Sequence, residues 1–247
     1  MNASSPSWVL KVEDLDFAYG KVQILHSVNF EIERGEFIGI IGPNGGGKTT
    51  LLRLMMSLLR PKRGRVISKG STIGYVPQAH QFDPQFPIST LDVVLMGILR
   101  RLKWYGSFSK EDREKAYLAL EQVGLSDLAT KSFALLSGGQ KQRAIFARAL
   151  VAEPEILFLD ESFAFCDVPT KKVLQEELMR LNTKQNMTIC MVTHDLEQAV
   201  DLVDRVLCVQ REVTAFKSAD VCEHFAMGLY HTPLKSASCR KGKKGKR

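Results

Sequence analysis

Residues 37–50 read Phe37-Ile38-Gly39-Ile40-Ile41-Gly42-Pro43-Asn44-Gly45-Gly46-Gly47-Lys48-Thr49-Thr50. A short β-type apolar run, 37–41, enters a glycine-rich loop, and a helix-patterned stretch follows over 49–59, ahead of Pro61. Gly42 to Thr49 match G-x-x-x-x-G-K-[ST]. The glycines let the backbone turn tightly and aim several N–H groups inward at an anion. Lys48 adds a point charge for β and γ phosphates, and the Thr49 hydroxyl is a hard oxygen ligand suited to Mg²⁺. A helix starting at Lys48 sets its positive end beneath the phosphates. Alone, the motif implies binding of a nucleoside triphosphate and nothing finer.

Working outward, residues 9–37 suggest a small β-rich start. Apolar runs at 73–76, 156–159, 188–193 and 206–209 read as short core strands. The stretch 82–87 carries two prolines and reads as a loop. Helical patterns cover about 90–128, 137–150 and 169–181, and Ser109 to Asp112 resemble a capping box. Apolar strands alternating with helices predict an α/β fold, a P-loop NTPase core whose mostly parallel sheet is flanked by helices. The reading places one domain over 1–234, with a helical subdomain at about 90–150 and a basic tail at 235–247.

Ile156 to Leu159 end in Asp160 and Glu161. Ligands of open α/β sheets bind at the carboxyl ends of the strands. Asp160 is placed to hold Mg²⁺, directly or through water, and Glu161 to polarise the attacking water as general base. An apolar strand ending in two acids is common. The weight of this pair comes from following Lys48 by 112 positions in a chain with a phosphate loop.

Composition narrows the remaining classes. The chain has 247 residues, 45% hydrophobic and 25% charged, which suits a globular protein with a sizeable core and excludes collagen-like, coiled-coil or largely disordered chains. No run approaches a membrane span, and residues 1–8 lack the features of a signal peptide. The net charge of +7 resides in Lys235, Arg240, Lys241, Lys243, Lys244, Lys246 and Arg247; the other 27 Lys and Arg balance 27 Asp and Glu. A formally neutral body argues against nucleic-acid binding. Two readings of the tail remain, a solvated flexible end or weak attraction to anionic lipid. The five cysteines, Cys166, Cys190, Cys208, Cys222 and Cys239, form neither a C-x-x-C pair nor an even set, the pattern of a reduced cytosolic protein. Cys190 and Cys208 lie in apolar runs and read as small core residues.

Leu136-Ser137-Gly138-Gly139-Gln140 places a hydroxyl and glycine amides at a helix N-terminus, a second anion site. LSGGQ between the phosphate loop and the acidic strand resembles the ATP-binding subunits of ABC transporters over nearly the whole chain. The resemblance implies further roles. Tyr19 in FAYG stands where the family stacks an aromatic on adenine. Gln78 in YVPQ matches the Q-loop glutamine that contacts Mg²⁺ and senses the membrane partner, and Asp167 matches the D-loop aspartate. His194 in VTHD matches the switch histidine at the γ-phosphate. Gly42, Pro43, Asn44, Gly45, Gly46, Gly47, Lys48, Thr49 and Thr50 then contact ATP from one subunit, and Ser137, Gly138, Gly139 and Gln140 from the other. Thr49, Gln78 and Asp160 surround Mg²⁺, while Glu161, His194 and Gln78 form the catalytic set. Two ATPase subunits meet head to tail, sandwich ATP, and drive an integral membrane permease from the cytoplasmic face.

Residues 82–97 (FDPQFPISTLDVVLMG) and 104–129 resemble the subfamily that powers import of manganese, zinc or iron, in which a metal-binding extracytoplasmic protein delivers the cargo. Asp83, Phe86, Pro87 and the 91–97 stretch carry that likeness. Departures are Ser162 after the catalytic glutamate, Phe165 and Cys166 in the D-loop, and Gly46 in the phosphate loop. Cys166 would set an oxidisable thiol near the nucleotide. Three other readings stand beside this one: an ABC ATPase with a different cargo, a soluble ABC ATPase acting on DNA or ribosomes, and a non-catalytic nucleotide-binding module. The neutral body and single cassette speak against the second, the complete catalytic set against the third.

Overall fold

The computed structural model describes residues 8–69, 71–78, 87–101, 106–161, 166–193 and 202–217. The chain opens with β1 (Trp8–Tyr19) and β2 (Val22–Glu33), a long antiparallel hairpin. β3 (Phe37–Ile41) leads into α1 (Lys48–Met55), and β4 (Arg63–Ser68) returns to pair with β1, giving a sheet of order β2-β1-β4. β5 (Ile73–Val76) precedes a helical stretch made of α2 (Thr90–Leu95), a 3-10 segment (Met96–Arg101), α3 (Lys110–Gln122) and α4 (Gly138–Leu150). β6 (Ile156–Asp160), α5 (Val168–Gln185), β7 (Thr188–Val192), β8 (Arg205–Gln210) and β9 (Glu212–Lys217) complete the second sheet. Its order is β5-β6-β7-β3-β8-β9; the first five strands are parallel and β9 is antiparallel.

The parallel strands are apolar on both faces because both faces are covered. Along β3, Phe37 and Ile41 join a core shared with α2 to α5, while Ile38 and Ile40 face α1 and the N-terminal sheet. β6 divides likewise: Leu157 and Leu159 face the first core, Ile156 and Phe158 the second. The α/β class read from the sequence is the one observed. Strands at 37–41 and 73–76 coincide with expectation, and the other three core strands differ by one residue at one or both ends.

Two strands were not foreseen. β4 and β9 are rich in polar and exposed positions and carry no apolar run. The first helix also ends early, at Met55 rather than 59. Ser57 adopts φ 59°, the Ser57 amide donates to Leu54 O at 3.0 Å, and the Leu58 amide donates to Arg53 O at 2.8 Å. That is a Schellman stop with serine where glycine is usual, so the sequence carried no punctuation there. The expected capping box is present: Ser109 and Asp112 exchange side-chain-to-backbone bonds at 3.1 and 2.9 Å. Cys190 and Cys208 are buried core residues as expected, and burial pushes both thiols up, Cys208 to about 11.

Several features read from the sequence lie outside the described residues: the 82–86 loop with Asp83 and Phe86, Ser162 and Phe165, His194, Cys222, Cys239 and the basic tail.

Gly97 marks a close crossing. A Cβ there would lie 2.0 Å from Arg148 O and 2.5 Å from Val151 Cγ1, atoms at the end of α4. Gly97→Ala is therefore expected to push the 3-10 segment off α4 and lower stability by about 1–3 kcal/mol. Thermal unfolding checks this; an unchanged melting temperature would show that the crossing relaxes freely.

Candidate functional site

The loop between β3 and α1 runs beneath the end of β8. At Gly42, φ is 151° and a Cβ would fall 2.2 Å from Val209 O, so no side chain fits. Gly47 caps α1 in the left-handed region with φ 105°. Lys48 is 6% exposed, and its Nζ donates to Gly42 O at 3.0 Å and Pro43 O at 3.1 Å. The lysine thus folds back across its own loop. Burial pulls its ammonium below the ordinary value, and the charges of Glu161 and Asp160 partly offset that.

Thr49 Oγ1 donates to Asp160 Oδ1 at 3.2 Å, tying the first turn of α1 to the end of β6. Asp160 is 3% exposed. Burial pushes its carboxyl above the ordinary range, opposed by the Thr49 bond and reinforced by the neighbouring Glu161 charge. Burial followed by the Asp160 charge pushes up the phenol of Tyr75, on β5.

Glu161 follows at φ 48°, a left-handed conformation that costs a non-glycine residue about 1–3 kcal/mol. Its amide donates to Val192 O at 3.1 Å, and Gln78 Nε2 donates to its Oε2 at 2.5 Å. The chain therefore brings Lys48, Thr49, Gln78, Asp160 and Glu161 into one cluster at the carboxyl ends of β3, β5 and β6.

Thr49 hydroxyl, Asp160 carboxylate and the Gln78 amide are hard oxygen donors of the type Mg²⁺ takes, and the buried Asp160 charge favours a cation beside it. Among the described residues no group of three or more His, Cys, Asp and Glu could hold a metal ion. One or two protein oxygens supplemented by phosphate oxygens is the usual Mg²⁺ arrangement, so the residues fit it.

A second group sits at the start of α4. Ser137 caps that helix: Gln140 N donates to Ser137 Oγ at 3.3 Å, and Ser137 N donates to Gln140 Oε1 at 2.9 Å. A Cβ on Gly139 would lie 2.4 Å from Thr170 Oγ1 and 3.4 Å from Asp167 Oδ1. Asp167 itself caps α5, accepting from Thr170 N at 3.1 Å. The beginnings of α4 and α5, hence Gly139 and Asp167, form one contact. Tyr19 is half-exposed at the tip of the first hairpin, its ring edge-on to Phe17 at 4.9 Å. Cys166, beside Asp167, has its thiol pushed up by burial and then by the Asp167 charge. That keeps it from the thiolate state and works against the ready oxidation expected from its position.

The fold and this cluster are those of a P-loop ATPase. Residues 25–164 match the ABC transporter family. The chain is 45% identical over 214 residues to a Chlamydia pneumoniae protein named a probable metal transport system ATP-binding protein, covering 82% of this chain and 86% of that one. It is 36% identical over 211 residues to the high-affinity zinc uptake system ATP-binding protein ZnuC of Bacillus subtilis, covering 82% and 91%. Among solved structures, a metal-chelate type ABC transporter in an inward-facing conformation superposes with a TM-score of 0.84 at 31% identity, over 92% of this chain and 90% of that one. An ATP-binding cassette captured as a dimer with ADP and phosphate superposes with a TM-score of 0.72 at 29% identity, over 85% and 98%. The chain belongs to the ABC transporter family and is its ATP-hydrolysing subunit.

Two outcomes follow for the acidic pair. Glu161→Gln is expected to slow hydrolysis by about 10²-fold or more while ATP binding survives; loss of binding in a titration would contradict the general-base role. Asp160 binds its proton more tightly folded than unfolded, so its ionisation costs stability. That cost is absent below the ordinary carboxylate range and complete above the raised value. Asp160→Asn should therefore raise the melting temperature of the nucleotide-free protein near neutral pH, with the gain shrinking as pH falls toward about 4. A gain independent of pH would contradict this origin.

Proposed function

We propose that this subunit hydrolyses ATP to drive a membrane permease importing a transition-metal ion, with manganese, zinc and iron as the candidate cargoes. The observation that carries the cargo is the run of relatives named for metal or zinc transport over more than four-fifths of the chain. The ATP chemistry rests on the cluster itself.

In this reading the loop amides of residues 42–50 and the Lys48 ammonium hold the β and γ phosphates, with Lys48 exchanging its bonds to Gly42 O and Pro43 O for phosphate oxygens. Thr49, Asp160 and Gln78 hold Mg²⁺, which when bound neutralises charge on the phosphates. Glu161 orients the attacking water and takes its proton. Gln78 now bonds to Glu161 and must release it for that task. His194 meets the γ-phosphate, and Tyr19 offers its exposed face to adenine.

Ser137 to Gln140 serve the nucleotide held by a second, head-to-tail subunit, with Asp167 at the same junction. The Ser137–Gln140 box satisfies its own two donors and leaves amides at the start of α4 for an anion. The permease binds at the cytoplasmic face of the membrane, and a metal-binding extracytoplasmic protein delivers cargo from the other side. Among the described residues no helix is long and apolar enough to cross a membrane.

Elemental mass spectrometry of cells grown in metal-poor medium tests the cargo, comparing wild type with Glu161→Gln at the native locus. A selective fall in manganese, zinc or iron is expected and names the ion. Unchanged levels of all three would move the cargo to another class.

A further inference from the structure

The β1–β2 hairpin closes on a two-residue turn, Gly20 and Lys21, between the paired residues Tyr19 and Val22. Gly20 takes the left-handed conformation such a turn needs, with φ 58°. Tyr19 is therefore the last strand residue before the tip. Two contacts anchor the hairpin near this point. On β2, Ile24 and Leu25 press against the phosphate loop: a Cβ on Gly47 would lie 3.0 Å from Leu25 Cδ2 and 3.2 Å from Ile24 Cγ2. On the turn itself, Lys62 Nζ donates to Gly20 O at 2.7 Å. Lys62 has a fixed base of its own. Its amide donates to Asp16 O at 2.9 Å, and the next residue, Arg63, opens β4 opposite Asp16.

Hairpin tips open at little cost unless something ties them down. The buried Phe17 steadies the Tyr19 ring from one side, edge to face, but it lies on the same strand and cannot fix the tip against the rest of the chain. Lys62 can, because its ammonium makes a charge-assisted bond to the turn from a different element. Lys48 opens α1, and Lys62 lies in the segment that leads from α1 to β4. One stretch of chain thus reaches both the phosphate end and the hairpin tip. We propose that Lys62 is a positioning residue for the nucleobase. By tethering Gly20 it holds Tyr19 at a set distance from the phosphate loop, so that the stacking face is in place before the nucleotide arrives. This rests on the reading of Tyr19 as the adenine platform. The bonds of Lys62 go to backbone oxygens of β1 and its turn, so it acts through Tyr19 and not on the phosphates.

The test compares a ligand that has a base with one that has none. A non-hydrolysable ATP analogue and inorganic tripolyphosphate are titrated by calorimetry, with Mg²⁺ present, into the full chain as wild type, Lys62→Met and Tyr19→Ala. Lys62→Met keeps the length of the side chain and removes the donor. It is expected to weaken the ATP analogue by about 3–10-fold, the worth of one hydrogen bond, and to leave tripolyphosphate unchanged. Tyr19→Ala is expected to weaken the analogue by about 10-fold or more, as loss of an aromatic stack does, again sparing tripolyphosphate. Unchanged binding of the analogue in Lys62→Met, with Tyr19→Ala impaired, would overturn the role of Lys62 and leave the Tyr19 platform standing. Unchanged binding in Tyr19→Ala would remove the platform and the proposal with it. An equal loss of both ligands in Lys62→Met would show that the lysine serves the phosphates or the general fold, and would overturn the positioning role.

Discussion

A carboxylate with 3% exposure at the end of a strand buried on both faces is costly to ionise, and the arrangement around Asp160 is organised by that cost. The strand must be apolar to lie inside the sheet, yet its last residue must carry charge where the sheet opens. The Thr49 hydroxyl from α1 compensates for part of the lost hydration. The remainder favours a bound cation. On the proposed Mg²⁺ assignment, destabilisation of the empty site is the counterpart of affinity for the filled one. Glu161 repeats the theme in the backbone, with a left-handed residue held by Val192 O and by Gln78.

The central position of β3 makes this arrangement possible. It lies between β7 and β8, so its loop emerges where β8 ends and where β6, two strands away, presents its acids. Gly42 has no room for a methyl because Val209 O of β8 occupies that space. The loop is shaped from below by the sheet and from the side by α1. Few sequences satisfy both, which explains why a glycine-lysine pattern in that context carries so much information.

Most of the architecture was legible because burial on both faces writes itself as uninterrupted apolar runs. β3 and β5 were read to the residue, and β6, β7 and β8 nearly so. Elements with weak amphipathic signals were not: β4 and β9 present charged, exposed residues and owe their pairing to neighbours distant in the chain. The end of α1 was missed because Ser57, not glycine, takes the left-handed stop. In the candidate site, motifs name Lys48, Thr49, Gln78, Asp160 and Glu161, and the structure brings them together, Thr49 bonding Asp160 and Gln78 bonding Glu161, with Lys48 near both acids.

The starts of α1 and α4, which the proposed function gives to phosphates, are built differently, and the difference bears on how they would work. The α1 end is left-handed at Gly47 and uncapped by any side chain, so its amides depend on the loop and on what the loop holds. The α4 end is closed by the reciprocal Ser137–Gln140 box and packed, through Gly139, against the helix that Asp167 caps. The first leaves its amides without a side-chain cap; the second is capped and packed before any ligand arrives. A preformed surface loses little conformational freedom on docking. In the proposed head-to-tail arrangement, that is the property required of a half-site that one subunit offers to its neighbour. The starts of α4 and α5 are packed against each other through Gly139, Thr170 and Asp167, so displacing either must move the other.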